Sequence, residues 1–389
     1  MTDRAEIALQ AADGLRGFAQ HVAHYPVLIG FDGFVDSIIN VVDTRHDAQR
    51  FDSIQTIEQF SKKLLAAAGK SGNYELVIKA RKLGGNGPIM ANALAALGLP
   101  VAYVGALGYP KLNPVFKDLA NLAHCISISE PAYTDALEFN DGKVMFGKLE
   151  SLMGINWQQI GQVVGHDQFA SLVAGARLIG MVNWTMLPML NEIWRRMIDD
   201  LMPQLPILGA GQAERRQIWI DLADPEKRTD DDLGEALELC SAFQPYANVM
   251  LGLNLKESTH VLQVLGLKVP ADTASSIETT SRTLCKRLNI AAVVIHPRDR
   301  AASTISYRGN VESACFIGPL VTRPKLSTGA GDNFNAGFCL GLLAHLPLEQ
   351  ALCIGTAASG YYVRHARSPR IHELADFCQK LPQPETNAP

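Results

Sequence analysis

Apolar positions along this chain keep two rhythms. Short solid runs, Val27-Leu28-Ile29-Gly30, Val101-Ala102-Tyr103-Val104-Gly105 and Val249-Met250-Leu251-Gly252-Leu253, have the length and density of strands buried on both faces. Between them lie longer stretches with apolar residues at helical spacing. Residues up to about Tyr25 read as one amphipathic helix. Pro88 to Gly98 carries Pro in its first turn and Gly at its end, the usual asymmetry of a helix. Strands that alternate with helical stretches predict an α/β fold around a mostly parallel sheet.

Two other regions depart from these rhythms. Residues 37–83 hold a helical patch from Ile54 to about Ala68 between extended stretches. From about Cys125 to Leu149 apolar and polar positions alternate, and Asn140-Asp141-Gly142-Lys143 is a hairpin turn joining arms at 134–139 and 144–148. Residues 157–205 read as mostly helical with a strand at 177–182. The polar patch 209–214 reads as a surface loop without chemistry. A strand at 218–222 ends in a polar turn stopped by Pro225. Another at 291–295 precedes a hairpin at 304–311. A helix runs from the Gly-rich loop at 329–331 to about His345, Leu348–His365 and Ile371–Lys380 close the chain, and the tail from Pro382 is expected to fray.

Composition narrows the class. Of 389 residues, 47% are apolar and 19% charged, enough for a large core and unlike a disordered chain. The net charge of −4, with no basic block, argues against a nucleic-acid surface. The apolar runs are broken by polar residues before they reach a membrane span, and the first twenty residues lack the apolar centre of a secretion signal. Seven cysteines without a C-x-x-C pair, set among apolar neighbours, fit reduced thiols in a cytoplasmic protein.

Candidate chemistry sits where strands pass into helices. Leu326-Ser327-Thr328-Gly329-Ala330-Gly331-Asp332 runs straight into a helix, so the amides of Gly329, Ala330, Gly331 and Asp332 should be free donors facing an anion. Asp332 is either the N-cap of that helix or a general base beside the donors. Asp32 and Asp36 follow the first strand, at the end where open α/β sheets bind ligands; Asp32-Gly33 reads equally well as a turn. Gly84-Gly85-Asn86-Gly87 sets amides and one side-chain amide at another helix start, without the spacing of a dinucleotide fingerprint. Asn254 and Glu257 share a first helical turn, where Glu257 also complements the helix dipole. Arg228, after Asp224-Pro225, is placed to reach a phosphate or is simply solvated.

Taken together, Ser-Thr-Gly-Ala-Gly-Asp followed by Asn-Phe-Asn-Ala-Gly, with the upstream Gly-Gly-Asn, Asp-Pro-x-x-Arg and Asn-x-x-Glu turns in that order, resembles the ribokinase-like (PfkB) family of sugar and nucleoside kinases. The resemblance covers roughly residues 27–377. It implies a single domain over 1–389, a three-layer α/β/α sandwich with a mostly parallel central sheet and a small β lid drawn from about 37–83 and 125–150. It further implies Asp332 as the base that takes the substrate proton, and Gly329, Ala330 and Gly331 as the anion hole. Asp36, Asp32, Gly84, Gly85 and Asn86 would bind the sugar. Asn254, Glu257 and Arg228 would serve the nucleotide phosphates, with Glu257 reaching Mg²⁺ through water.

Two departures stand out. His296-Pro297-Arg298-Asp299-Arg300-Ala301 replaces the family's Thr-x-Gly-x-x-Gly beside the nucleotide, where the charge of Arg298 or Arg300 is the available substitute and His296 reads as structural. Leu326 stands where the family usually has Asp, so cation activation does not carry over. The expected activity is transfer of the γ-phosphoryl of ATP, with Mg²⁺, to a hydroxyl of a sugar or nucleoside. The alternatives are a nucleoside kinase and a kinase-like binding protein without transfer; a nicotinamide dehydrogenase lacks its glycine fingerprint. The acceptor, the choice of ATP or ADP, and pairing of lids into a homodimer stay open at this stage.

Overall fold

The computed structural model describes residues 3–208, 214–307 and 310–385. The loop expected at 209–214 lies, except for its last residue, outside them. Among the described residues the strands form two sheets, of nine and five strands.

The solid apolar runs became strands of the larger sheet, β1 (Val27–Phe31), β5 (Val101–Gly105), β9 (Leu178–Met181), β10 (Gln217–Asp221), β11 (Asn248–Leu253) and β12 (Ala292–Ile295), and the mixed segment β6 (His124–Ser127) joins them at the edge. Their order is β6-β5-β1-β9-β10-β11-β12, every neighbouring pair parallel. The antiparallel strands β13 (Arg300–Tyr307) and β14 (Asn310–Ile317) extend the β12 edge. Side chains alternate between two cores: Ile29 and Trp219 face one, Leu28 and Ile220 the other. Each face is covered by helices, which is why these strands could be apolar throughout.

One helical layer holds α1 (Arg4–Phe18), α3 (Asn86–Ala96), α4 (Lys117–Leu122), α11 (Ala330–Leu343), α12 (Leu348–His365) and α13 (Ile371–Gln379). The other holds α5 (Trp157–Val163), α6 (His166–Gly175), α7 (Leu190–Arg196), α8 (Asp230–Phe243), α9 (Leu255–Val264) and α10 (Ile277–Leu288). The fold is thus the α/β class expected. The N-terminal helix is shorter than its pattern suggested, ending at Phe18 before a tight turn at Val22–His24. The expected fraying after Pro382 does not hold as far as Glu385. Arg4 donates to the Pro382 carbonyl at 2.7 Å, and the Glu385 carboxylate accepts from the amide and hydroxyl of Thr322. No helix among the described residues is long and apolar enough to cross a membrane.

The second sheet comprises β2 (Phe34–Arg45), β3 (Phe51–Ser53), β4 (Leu76–Gly84), β7 (Ala132–Phe139) and β8 (Gly142–Lys148). Its outer face packs Ile39, Val41 and Leu137 against Ile54 and Phe60, the last from α2 (Ile57–Ala66). Asp141, in the hairpin turn, accepts the Ile57 amide at 2.8 Å and so ties that turn to α2. Residues 125–127, the start of the expected second lid segment, instead belong to the edge strand β6 of the large sheet. Their alternation comes from an edge position covered on one face.

β1 is the pivot. The chain adds β5 and β6 on one side of it and β9 to β12 on the other, so a crevice opens beyond the carboxyl ends of β1 and β9. The second sheet springs from the same place, because β2 starts three residues after β1 ends.

Candidate active site

The helix α11 begins at Gly329, whose φ of +90° suits a residue without Cβ; an added Cβ would lie 2.9 Å from the Tyr362 hydroxyl. The approach to this turn is pinned from α12. Tyr362 Oη donates to the Thr328 carbonyl at 2.9 Å, and the Lys325 amide to the Val363 carbonyl at 2.8 Å. The donor set differs from the expectation in one place. The Ala330 amide turns back to the Ser327 carbonyl at 3.2 Å, while those of Gly329 and Gly331 have no protein acceptor among the described residues.

Asp332, in the first turn, is 5% exposed and accepts from Asn86 Nδ2 at 3.0 Å. Burial pushes its carboxyl well above the usual range, and the nearby Asp221 charge pushes it further; the Asn86 bond pulls the other way. Asp332 is therefore no N-cap. It lies on a wall shared by two cavities. One, of about 440 Å³, is lined by Asn254, Glu257, Asp221, His296 and the glycines of the loop. The other, of about 350 Å³, is lined by Asp36, Asn86, Thr134, Met145 and Asn183.

Asn86 reaches Asp332 because the turn before it is built on Asp32. Gly85 has φ +91°, and a Cβ there would sit 2.7 Å from Asp32 Oδ2. Asp32 Oδ1 accepts the Gly87 amide at 2.8 Å, and Oδ2 accepts Asn183 Nδ2 at 2.6 Å. Asp32 is fully buried, and burial pushes it up to about 6 against those hydrogen bonds. Its oxygens are consumed in holding the turn, so the direct sugar contact expected of it is not what the geometry offers. Asp36 does face the second cavity. Burial raises its carboxyl, with the Thr134 hydrogen bond and the Lys143 charge opposing. Gly84 closes β4 opposite Phe34, and Gly85 lines the cavity beside Asn86.

On the other side of Asp332, Asn254 and Glu257 form a reciprocal cap at the start of α9: Asn254 Oδ1 accepts the Glu257 amide at 2.9 Å, and Glu257 Oε2 accepts the Asn254 amide at 2.8 Å. Glu257 Oε1 takes the Asp224 amide at 2.9 Å. Burial, reinforced by the Asp221 charge, pushes Glu257 up to about 7. Asp221, at the end of β10, is raised by burial too and accepts Asn335 Nδ2 at 2.7 Å.

Arg228 goes elsewhere. Its guanidinium stacks 3.9 Å over the Trp184 ring and donates to the carbonyls of Trp184, Leu187 and Pro188. It lines neither cavity, because its side chain fastens the turn after β10 to the segment after β9. Of the arginines near the altered turn, Arg300 is held by Asp299 at 2.8 Å, while Arg298 lines the larger cavity. His296 stacks on Phe334 with centroids 4.4 Å apart, and burial lowers it to about 4.

Three residues of this site carry no motif of their own in the sequence. Asp221 lies in an apolar strand run and ends that strand at the ligand-binding edge. Asn183 has the same signal, following β9, and φ of 61° marks its turn. Asn335 lies inside the Asn-Phe-Asn segment, one turn after Asp332.

Comparison with known proteins gives the family and the fold. A family model described as prokaryotic ketohexokinase matches residues 3–381. A ketohexokinase of Haloferax volcanii is 28% identical over 376 residues, 96% of either chain. Among solved structures, a ribokinase of Arabidopsis thaliana complexed with ribose and ATP has a TM-score of 0.60 at 14% identity, covering 92% of this chain and 99% of that one. A carbohydrate kinase from Agrobacterium tumefaciens has a TM-score of 0.60 at 13% identity, covering 92% and 98%. At these identities the structural likeness concerns the ribokinase-like fold.

Proposed function

We propose that this chain, which belongs to the prokaryotic ketohexokinase family and is an ATP-dependent carbohydrate kinase, phosphorylates a ketose hydroxyl delivered to Asp332. The observation that carries the residue assignment is the position of that carboxylate. Of the two carboxylates that line both the cavity reached by Asn254 and the loop amides and the cavity reached by Asp36 and Thr134, Asp332 and Glu257, it is the one set in the first turn after the Gly-rich loop and held by Asn86.

In this reading the first cavity takes the triphosphate and the second the sugar. Asp332 removes the proton of the acceptor hydroxyl. The oxygen forms a bond to the γ-phosphorus as the bond from that phosphorus to the β–γ bridging oxygen breaks, and ADP leaves with the bridging oxygen. The amides of Gly329 and Gly331 donate to the oxygens of the moving group, a fixed dipole array that needs no rearrangement as charge shifts. Asn86 holds the base in line, and its raised proton affinity makes it a better acceptor for an alcohol proton than a solvated carboxylate. Asp36 and Thr134 bind sugar hydroxyls from the second sheet, which acts as a lid and keeps water from the phosphoryl group.

Magnesium keeps several waters and takes few protein ligands. Among the described residues no group of three His, Cys, Asp or Glu is set to hold a metal, so such an ion would rest on phosphate oxygens and water. Glu257 and Asp221 suit the outer role, being buried carboxylates that line the first cavity and have no salt bridge to a cation among the described residues. Bound there, the ion would neutralise charge on the phosphates.

The test is turnover of ATP with fructose. Asp332→Asn should lower kcat by roughly 10²–10⁴-fold, the usual worth of a general base, while fructose still binds. A near wild-type rate in that variant would end the assignment.

A further inference from the structure

The larger of the two cavities at Asp332 has an uneven charge. Asp221, Glu257 and Asp332 line it, and Arg298 is the one lysine or arginine that does so among the described residues. His296, also in the wall, is kept neutral by burial. Lys227 and Lys256 are engaged by Asp224 and Glu226 and line neither cavity. Arg298 is exposed and makes no hydrogen bond or ion pair among the described residues. The acid next to it is taken, because the Asp299 carboxylate accepts Nε and Nη2 of Arg300 at 2.9 and 2.8 Å. The turn that carries Arg298 joins two parts of the cavity wall. At one end His296 borders the Gly-rich loop, where a Cβ on Gly331 would meet its ring at 3.7 Å. At the other end the Asp299 carbonyl accepts the Gly318 amide at 2.8 Å, next to the apolar wall of Pro319, Leu320 and Val363. Arg298 therefore stands between an anion-binding loop and an apolar surface.

We propose that Arg298 binds the inner phosphates of the nucleotide donor and is the side chain that sets donor affinity. The inference rests on the reading of this cavity as the triphosphate site. A triphosphate laid with its terminal group at the Gly329 and Gly331 amides and its base against Pro319, Leu320 and Val363 passes its α- and β-phosphates by residue 298. Those groups enter a space whose other charged side chains are carboxylates, so an unpaired guanidinium is the attractive partner the protein offers them. Its planar fork fits two phosphate oxygens at once, which an ammonium does not. ADP keeps both phosphates, so the contact holds donor and product alike and leaves the transferred group to the loop.

Calorimetry on the full chain with Mg²⁺ present, using ATP, ADP and adenosine as probes, tests it apart from turnover. Arg298→Ala should weaken ATP and ADP by a similar factor, about tenfold or more, and leave adenosine and fructose within about twofold. Arg298→Lys should recover part of the loss, and the wild-type advantage of ADP over adenosine should shrink with salt. The side chain is exposed and unpaired, so both variants should fold. A loss for ATP alone would place Arg298 at the γ-phosphate and overturn the proposal, as would an unchanged ADP affinity in Arg298→Ala. Ser359→Trp separates this outcome from failure of the reading beneath it. Residue 359 lines the cavity from α12, and the indole should fill the space and abolish ATP binding. ATP binding lost in that variant but intact in Arg298→Ala removes the role of Arg298 and leaves the cavity as the donor site. ATP binding intact in both overturns the two together.

Discussion

A carboxylate withdrawn from water holds its proton more tightly, and this site withdraws three around one cavity: Asp221, Glu257 and Asp332. Glu257 shows the consequence most plainly. Its folded value near 7 lies above the 4.5 of a free glutamate, so its contribution to stability is whole below about pH 4.5 and is lost as pH rises through about 7. Glu257→Gln, which cannot ionise, should therefore melt progressively better relative to wild type from pH 5 to pH 8. A melting difference that stays flat with pH would show that Glu257 is already ionised at the acid end. Arg228 makes the opposite kind of statement. Stacked on Trp184 and tied to three carbonyls, it is a brace, and Arg228→Ala should cost roughly 1–3 kcal/mol of stability in a denaturant titration with the ATP KM within about twofold of wild type. A tenfold rise in that KM would restore the phosphate contact expected from the sequence. Nothing local in Asp-Pro-x-x-Arg distinguishes the two outcomes, since the aromatic partner comes from another strand end.

Turns and caps belong to the next scale, and these were largely legible. The hairpin at Asn140-Asp141-Gly142, the helix opening at Pro88 and the reciprocal cap of Asn254 and Glu257 depend on residues within a few positions of each other. Assignment was harder where one pattern serves two partners. The alternation at 125–127 fits the edge of the large sheet as well as a lid strand. The second sheet has a small core of its own, in which Phe60 stacks on Phe139 at 5.6 Å and meets Tyr74 edge-on. Phe60→Ala should remove roughly 3 kcal/mol from that cluster. Because Asp36 and Thr134 project from the same strands, the sugar KM should rise several-fold and the ATP KM much less. Steady-state kinetics with each substrate varied checks it; an equal rise in both would mean that the sheet does not act on the sugar side alone.

At the scale of the molecule, the pivot at β1 decides where the site lies. Adding strands on both sides of it opens the crevice that Asp32 and Asn183 bridge from β1 and β9, and the Asp32 scaffold then aims Asn86 at Asp332. The sequence by itself determined the α/β class, most strand and helix positions, and the turns at Gly84–Gly87 and Gly329–Asp332, because each rests on the periodicity or backbone freedom of adjacent residues. Only the tertiary structure decided that Asp32 is a buried prop, that Arg228 faces away, and that Asp221, Glu257 and Asp332 surround one space. Those outcomes turn on strand order and on the packing of side chains far apart along the chain, and no local pattern carries that information.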